Sequence, residues 1–256
     1  MADFSGVLHV HSSFSDGAMS VAEIADWAIA AQLDFVVVTD HSESLPPDRR
    51  SELFEECERL SRRVLLVPAV EFAHSGRHVI AMGPRECLIS LTDEEAVRSP
   101  EMVRERGGMT IWAHPALTYA LSLRDGVEAD YDGWETWNLK VDGDLPNLPV
   151  ISLLGRLARL RPIHSFAGSD LHAAPASGGG PRLAVTADAD ELSANALLDS
   201  LRRGEFRVEC SRGSDPQAQV RPTAWDRTRS SLRHRRTRVA CVVRYIAHRM
   251  KTLLRG

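Results

Sequence analysis

Two histidines one residue apart, His9 and His11, follow a short apolar run in the stretch VLHVHSSFSDG. Side chains on a strand alternate between its two faces, so both rings lie on the same side and one metal ion can bind both. Asp16 follows five residues after the second histidine and adds a carboxylate. A lone His-X-His pair does not define a metal site, which also needs ligands from the rest of the chain.

Further imidazole and carboxylate groups follow other apolar runs of strand length. Neutral imidazole and carboxylate ligands without a nearby thiolate suit zinc, manganese or iron. Such groups converge on one face when parallel strands end together. Capping and loop polarity would explain one or two of these positions, but not all nine. The nine residues are His9, His11, Asp40, His41, Glu71, His78, His114, Asp170 and His172, of which His78 begins a run instead of following one.

Some polar residues are expected to support this cluster without binding a metal ion. Asp40 is interpreted either as orienting a histidine ring or as a strand-end cap. Arg182 could hold a substrate phosphate bidentately, or serve in a surface ion pair. Glu135, Trp137 and Asn138 end another strand run and are candidates for lining the pocket, although a core position is also open for Trp137. His164, alone on an apolar strand, is interpreted as a core or loop residue.

The elements that must position these residues alternate along the chain. Strand-length apolar runs are followed by helical patterns, such as the one that begins at Ser20 with Glu23 in the capping-box position. Pro100 is expected to interrupt a helical stretch, and Gly204 to end the last helix. This alternation favours a mostly parallel sheet, either a closed or distorted β/α barrel or an open doubly wound sheet.

The composition is that of an ordinary globular protein, except for a strongly basic segment at residues 221–256. The chain has 256 residues, 43% hydrophobic and 26% charged, with four widely spaced cysteines. Neither a signal peptide nor a run of membrane-spanning length is recognisable, so we expect a cytoplasmic protein with reduced thiols. Residues 221–256 hold ten Arg and one Lys against one acid, a net +10, so the remaining chain carries −14 within the total of −4.

The basic end predicts a separate segment. Residues 211–222 are expected to be a linker and residues 223–256 a tail helix with one apolar stripe. A basic amphipathic helix is typical of contact with an anionic membrane surface, which would make the protein peripheral to the membrane, or with a nucleic acid. It could equally dock on the acidic body.

The motifs, taken in order, resemble a known family. The stretches HVHSSFSDG, VVVTDH, VPAVEF, RHVIAMG, GGMTIWAHP and FAGSDLH are similar to those of the PHP domain, named for polymerase and histidinol phosphatase. GGGPRLAV and ALLDSLRRGEF also resemble segments of small stand-alone members. The resemblance covers about residues 6–210, assigned as one domain of residues 1–210. It implies a distorted (β/α)7 barrel with a metal site at the C-terminal strand ends.

The resemblance also assigns roles. It implies two to three divalent metal ions, of zinc, manganese or iron. Glu71, His114 and Asp170 are the implied catalytic residues. His78 is preferred over His74 because the run that follows it matches the family. By resemblance the ligands are His9, His11 and Asp170 for one ion; His78 and His114, with bridging Glu71, for the second; and Asp16, His41 and His172 for the third.

The implied activity is hydrolysis of phosphate esters in nucleotides, short nucleic acid ends or small phosphorylated metabolites. Metal ions would lower the pKa of a bound water and neutralise phosphate oxygens as charge builds up. Two alternatives stay open. One is hydrolysis of a non-phosphate bond, such as a carbamate or amide. The other is a binding module whose metal cluster is structural and whose tail contacts a membrane or nucleic acid.

Overall fold

One mixed sheet of nine strands organises the protein, in the order β7-β6-β5-β4-β3-β2-β1-β8-β9. The computed structural model describes residues 1–115, 130–159, 162–175, 180–188 and 190–210. The predicted linker and basic tail lie outside these residues, so their contacts stay predictions. The strands are β1 (Ala2–Val10), β2 (Phe35–His41), β3 (Leu65–His74), β4 (Arg77–Met82), β5 (Met109–Trp112), β6 (Gly133–Asn138), β7 (His164–Gly168), β8 (Pro181–Ala187) and β9 (Phe206–Cys210).

Helices occupy several of the connections between strands, and three predicted helix ends are confirmed. Ser20 and Glu23 form the expected capping box, Pro100 starts a new helix, and Gly204 ends the last one with φ +72°. None of the helices in the described part of the chain is long and apolar enough to cross a membrane. The helices are α1 (Val21–Ala30), α2 (Pro47–Leu60), α3 (Arg85–Ser90), α4 (Asp93–Arg98), α5 (Pro100–Glu105), α6 (Leu139–Asp142), α7 (Leu148–Leu157) and α8 (Ala194–Arg203).

The expectation of a mostly parallel sheet is wrong. Parallel pairing joins β1 to β2, β2 to β3, β5 to β6 and β6 to β7, whereas β4, β8 and β9 pair only antiparallel. β4 runs antiparallel to β3 because a two-residue turn, Ser75-Gly76, joins them; both of its residues have positive φ. Such a turn closes a tight hairpin, so the start of β4 lies at the same edge as the end of β3.

The sheet nearly closes on itself, which confirms the predicted distorted barrel. The segment after β7 comes back to the end of β1, where Val10 pairs with Leu171 in a parallel bridge. The amide N–H of Ser169 donates to the carbonyl of Leu8 at 2.8 Å, and that of His11 donates to the carbonyl of Leu171 at 2.8 Å. The start of β1 pairs instead with β8, so closure occurs at the C-terminal rim.

Three apolar layers hold the barrel together. The interior contains side chains such as Leu8, Phe35 and Phe166, and α8 packs into the same layer. A second layer lies between β1–β3 and the helices α1 and α2. A third lies outside β3–β6, against α3–α5 and α7.

A buried arginine fixes the loop that follows β2. Arg50 in α2 is 6% exposed, and its guanidinium lies over the Phe72 ring. It donates to the carbonyls of Leu45 at 2.8 Å, Leu88 at 3.0 Å and Leu91 at 2.7 Å. Since these carbonyls belong to the β2–α2 loop and to the segment from α3 to α4, one side chain ties the loop after His41 to the outer helices.

We expect Arg50→Ala to lower the free energy of unfolding by about 3 kcal/mol, because it leaves buried carbonyls without donors. Arg50→Lys should recover part of this loss, since an ammonium cannot reach all the acceptors of the guanidinium fork. Urea denaturation measures the effect. The exposed Arg62→Ala serves as the control, with an expected change within about 0.5 kcal/mol. Equal stability of the Arg50 and Arg62 variants would contradict the role of the clamp.

Candidate metal centre

All nine predicted ligands lie together at the rim where the barrel closes. They form four overlapping groups in which the ligand atoms lie within 4.8 Å of one another. Several residues are shared between groups, so this is one continuous cluster. The groups are His9, His11 and Glu71; His9, His114 and Asp170; His41, Glu71 and His78; and His11, Asp16, His41 and His172.

Glu71 is the centre of this cluster. It lies in the inward-facing row of β3 and is 1% exposed. Its Oε1 lies 3.0 Å from His78 Nδ1 and 3.0 Å from His114 Nε2. Its Oε2 lies 3.1 Å from His41 Nδ1, and the Nε2 atoms of His9 and His11 are 3.3 Å and 3.5 Å away. One carboxylate thus contacts five imidazoles.

Asp170 and Asp16 extend the cluster in two directions. Asp170 Oδ1 lies 3.4 Å from His11 Nε2 and 3.8 Å from His9 Nε2, and it is buried. Asp16 is half-exposed, and its Oδ2 lies 3.1 Å from His172 Nε2. The cluster is therefore closed on the Asp170 side and open to solvent on the Asp16 side.

Backbone strain accompanies three of the ligands. His9, His114 and Asp170 have φ values of +72°, +32° and +48°, a region that side-chain-bearing residues seldom adopt. Such conformations cost free energy and persist where the surrounding structure imposes them, often at functional sites. Each of the three residues stands at the end of a strand, where the irregular backbone turns a side chain toward the cluster.

A bulge in β1 decides where the His-X-His pair points. Leu8 faces the barrel interior, so strict alternation would turn Val10 inward and His9 outward. Val10 instead packs outside the sheet with Val7, and pairing with β2 shifts between Val7 and Val10. The positive φ of His9 produces this shift, as in other β-bulges. Both rings, His9 and His11, are consequently buried within the cluster, with centroids 5.0 Å apart.

The donor atoms fit a cation. Within the described residues, His9 Nε2, both ring nitrogens of His11 and Glu71 Oε2 are buried without a hydrogen-bond partner. Buried polar atoms rarely go unsatisfied, so four of them in one cluster fit a site that binds a cation. Imidazole and carboxylate donors with no thiolate suit zinc, manganese or iron. The residues present therefore fit the divalent ions that the sequence predicts.

The charges in the cluster are strongly coupled. Burial opposes ionisation of Glu71, but the charge of His9 and the hydrogen bonds from His114 and His78 outweigh it and hold the pKa of Glu71 well below its ordinary value. Burial also disfavours a charged His9 ring, yet the carboxylates of Glu135 and Glu71 raise the pKa of His9 well above its ordinary value. The hydrogen bond to Glu71 raises the pKa of His78. Protons thus supply positive charge that a metal ion can replace.

Glu135 orients ligand residues of the cluster through hydrogen bonds, a role that the sequence did not predict. It is buried on β6, and its Oε1 lies 2.8 Å from His9 Nδ1. Its Oε2 accepts from the His114 amide at 2.8 Å and from Asn138 Nδ2 at 3.0 Å. A carboxylate on the outer nitrogen of a ligand histidine fixes the ring and raises its basicity. The polar residue at an inward position of β6 was the available signal.

Gly168 makes room for that carboxylate. A Cβ at this position would overlap Oε1 of Glu135 and come within 3.2 Å of His9 Cβ. Asn138, a candidate for lining the pocket, is fully buried, and its side-chain amide donates to Glu135. Its side-chain oxygen also accepts from the amide of Val141, which caps α6.

The prediction that Asp40 orients a histidine ring is wrong. Asp40 is buried on the outer face of β2, and it accepts hydrogen bonds from the amides of Ser12 and Ser15 at 2.9 Å and 3.1 Å and from both of their hydroxyls. Asp40 and His41 are consecutive residues of β2, so their side chains point to opposite faces of the sheet. Asp40 therefore faces the turn and not the pocket. Asp40 therefore fixes the loop that carries Asp16.

Three other basic or imidazole side chains lie apart from the cluster. Arg182 donates to the carbonyl of Ala31 at 3.2 Å, beside the end of α1, so the structure does not bring it to the ligands. His164 starts β7 at the opposite end and lies 2.9 Å from the Arg202 carbonyl. His74 is in none of the ligand groups formed by described residues, whereas His78 is, as preferred from the motif.

We expect Glu135→Gln to weaken metal binding about 10- to 100-fold, because the amide cannot accept from both His9 and His114 as a carboxylate does. Gly168→Ala should act in the same direction by displacing Glu135. Metal titration followed by elemental analysis measures the loss. Glu94→Gln on the exposed face of α4 is the matched control and should keep wild-type affinity. Undiminished affinity in both site variants would refute the role of Glu135.

The raised pKa values predict pH-dependent metal uptake. Protonated imidazole has no lone pair to donate, so protons on His9 and His78 must leave when a cation binds. We expect the apparent Kd for Mn²⁺ to rise by about tenfold or more as the pH falls from about 8 to about 6, with protons released on binding. Calorimetry in buffers of different ionisation enthalpy measures both quantities. A Kd that stays constant over this range would contradict the expectation.

Comparisons with known proteins concern the fold. No protein-family model matches the chain, and no curated protein matches it. Among solved structures, a two-domain protein containing a predicted PHP-like metal-dependent phosphoesterase from Bacteroides vulgatus matches with 19% identity and a TM-score of 0.58. The match covers 81% of this chain and 64% of that one, so the chain spans less than two thirds of its neighbour's length.

Two further structures are more distant. A putative metal-dependent phosphoesterase from Bifidobacterium adolescentis has 15% identity, covering 77% of this chain and 94% of its own, with a TM-score of 0.46. An amidohydrolase from Chromobacterium violaceum with bound sulfate has 16% identity, covering 79% and 97%, with a TM-score of 0.49. The Bacteroides vulgatus match shows a shared fold, and it confirms the PHP-like barrel that the sequence motifs predict.

Proposed function

We propose that this chain is a metal-dependent hydrolase, and specifically a phosphoesterase acting on nucleotides, short nucleic acid ends or small phosphorylated metabolites. The observation that carries the proposal is the sharing of Glu71 between two groups of ligands, one with His9 and His11 and one with His41 and His78. Neighbouring cations held by one carboxylate are suited to a phosphoryl group, because they neutralise oxygens on both the attacking and the leaving side.

The chain's own residues have distinct tasks in this proposal. His9, His11, Asp170 and His114, with Glu71, would hold ions in the buried part of the cluster. Bound divalent cations supply a water of lowered pKa and neutralise charge on the phosphate. The buried carboxylates keep the ligand rings in place and exclude other water from the inner side.

The outer part of the cluster faces the substrate. Asp16, His41 and His172 would hold a further ion at the half-exposed edge, where an anionic group can enter. Without cations the carboxylates would repel such a group, and with them the local charge is reversed. Asp40 supports this edge through the Ser12–Ser15 turn. The name of the Bacteroides vulgatus neighbour, a predicted phosphoesterase, also favours this chemistry.

The test compares paired variants on phosphoesters. We expect the chain loaded with Mn²⁺ or Zn²⁺ to hydrolyse p-nitrophenyl phosphate or a nucleoside bisphosphate. Glu71→Gln should lower kcat/KM about a hundredfold or more, because it removes the shared charged ligand. His78→Asn should reduce both activity and metal content, whereas His74→Asn should leave both unchanged.

Two outcomes would overturn the proposal. Inactivity on all phosphoesters with a full metal content, together with hydrolysis of amide or carbamate substrates, would assign a different bond. Activity that is unaffected by Glu71→Gln would mean that the metal cluster is structural.

A further inference from the structure

We propose that Lys140 is a substrate-binding residue whose ammonium contacts the phosphate group held at the cluster, and that it favours phosphomonoesters over phosphodiesters. The inference rests on the proposed function and adds a substrate class to it. Lys140 lies in α6, directly after β6, and it was not among the residues singled out from the sequence.

Lys140 places a positive charge beside two of the predicted metal ligands. Its Nζ lies 3.4 Å from Asp170 Oδ1, and 3.3 Å and 3.1 Å from His172 Nδ1 and Nε2. The lone pairs of the two ring nitrogens diverge in the ring plane, so one ammonium cannot be aligned with both. This is a charge contact with the ligand set, without the directionality of a fixed hydrogen bond.

The backbone beneath Lys140 is rigid, while its side chain is accessible. Asn138 caps α6 through the Val141 amide at 3.0 Å, and its own amide donates to Asp142 Oδ2 at 2.9 Å. Trp137 Nε1 donates to the Gly143 carbonyl at 2.7 Å. The Lys140 side chain is 54% exposed. A long side chain on a fixed base can change its contact without any movement of the barrel.

Metal binding must release this ammonium. Cations held by Asp170 in one group and by His172 in another would occupy the ligand atoms that Lys140 now contacts, and like charges repel at this separation. The four-carbon stem then leaves the ammonium at the half-exposed edge, beside the ligands and within reach of an anion bound there. A phosphate at the cluster would be the strongest available acceptor.

The presence of a lysine, and not an arginine, at position 140 supports a specific role. The chain has 31 basic residues, and only Lys140 and Lys251 among them are lysines. An ammonium is a compact point charge with three rotatable donors, unlike the planar guanidinium fork. One such charge attracts a dianion more strongly than a monoanion, because Coulomb energy scales with the product of the charges. A terminal phosphate carries up to two negative charges and a phosphodiester one.

Amine labelling tests the contact without measuring turnover. The metal-loaded chain is acetylated with a small amine-reactive ester, with and without inorganic phosphate, and modification is read by mass spectrometry. Lys251 provides the internal control for reagent activity. We expect loading with Mn²⁺ to increase labelling of Lys140 and phosphate then to decrease it severalfold, whereas labelling of Lys251 should not respond to phosphate.

Variants test the substrate class. We expect Lys140→Gln to weaken calorimetric binding of inorganic phosphate to the loaded chain about tenfold. It should lower kcat/KM for p-nitrophenyl phosphate more than for bis-p-nitrophenyl phosphate, and Lys140→Arg should recover part of the loss. Arg156→Gln, which removes one exposed charge from α7, is the matched control and should behave as wild type.

The outcomes separate this inference from the function on which it rests. Phosphate that binds the loaded wild type without protecting Lys140, or equal losses on monoester and diester, would overturn the role of Lys140 alone. Phosphate that does not bind the loaded wild type at all would overturn both proposals.

Discussion

A buried carboxylate surrounded by five imidazoles is the interaction on which this structure depends. Glu71 is 1% exposed, and histidine nitrogens from four strands or strand ends lie within 3.0–3.5 Å of its oxygens. An isolated charge in such a position is strongly unfavourable, so it must be compensated by protons or cations. The coupled pKa shifts of Glu71 and His9 are the compensation available to the protein alone, and the unsatisfied ring nitrogens indicate where cations would replace it.

The architecture can be understood as the means of delivering ligands to one rim. Parallel strands bring their C-terminal ends there, and the β3–β4 hairpin adds a strand whose beginning lies at the same edge. Closure of the barrel between Val10 and Leu171 completes the ring. His9, His114 and Asp170 lie at strand ends and have strained backbone conformations. The free-energy cost of this strain is offset by the stability of the apolar layers.

Supporting residues divide the cluster into two regions with different tasks. On the inner side Glu135 is held by Asn138 and fixes His9, so this region is rigid and closed to solvent. On the outer side Asp40 holds the turn that carries Asp16, and the half-exposed Lys140 adds a positive charge. The two regions therefore differ in burial and in the residues that support them.

The sequence by itself determined the ligand types, the helix caps and the order of the elements, because these depend on local chemistry and on spacing along the chain. Only the tertiary structure decided that His9 points inward. Regular alternation of side chains along β1 would turn it outward, and the bulge before Val10 overrides that alternation. It also decided the partners of Asp40 and Glu135, because strand parity and barrel closure bring together groups that are far apart in the chain. Contacts of this kind depend on register and closure, which no local pattern specifies.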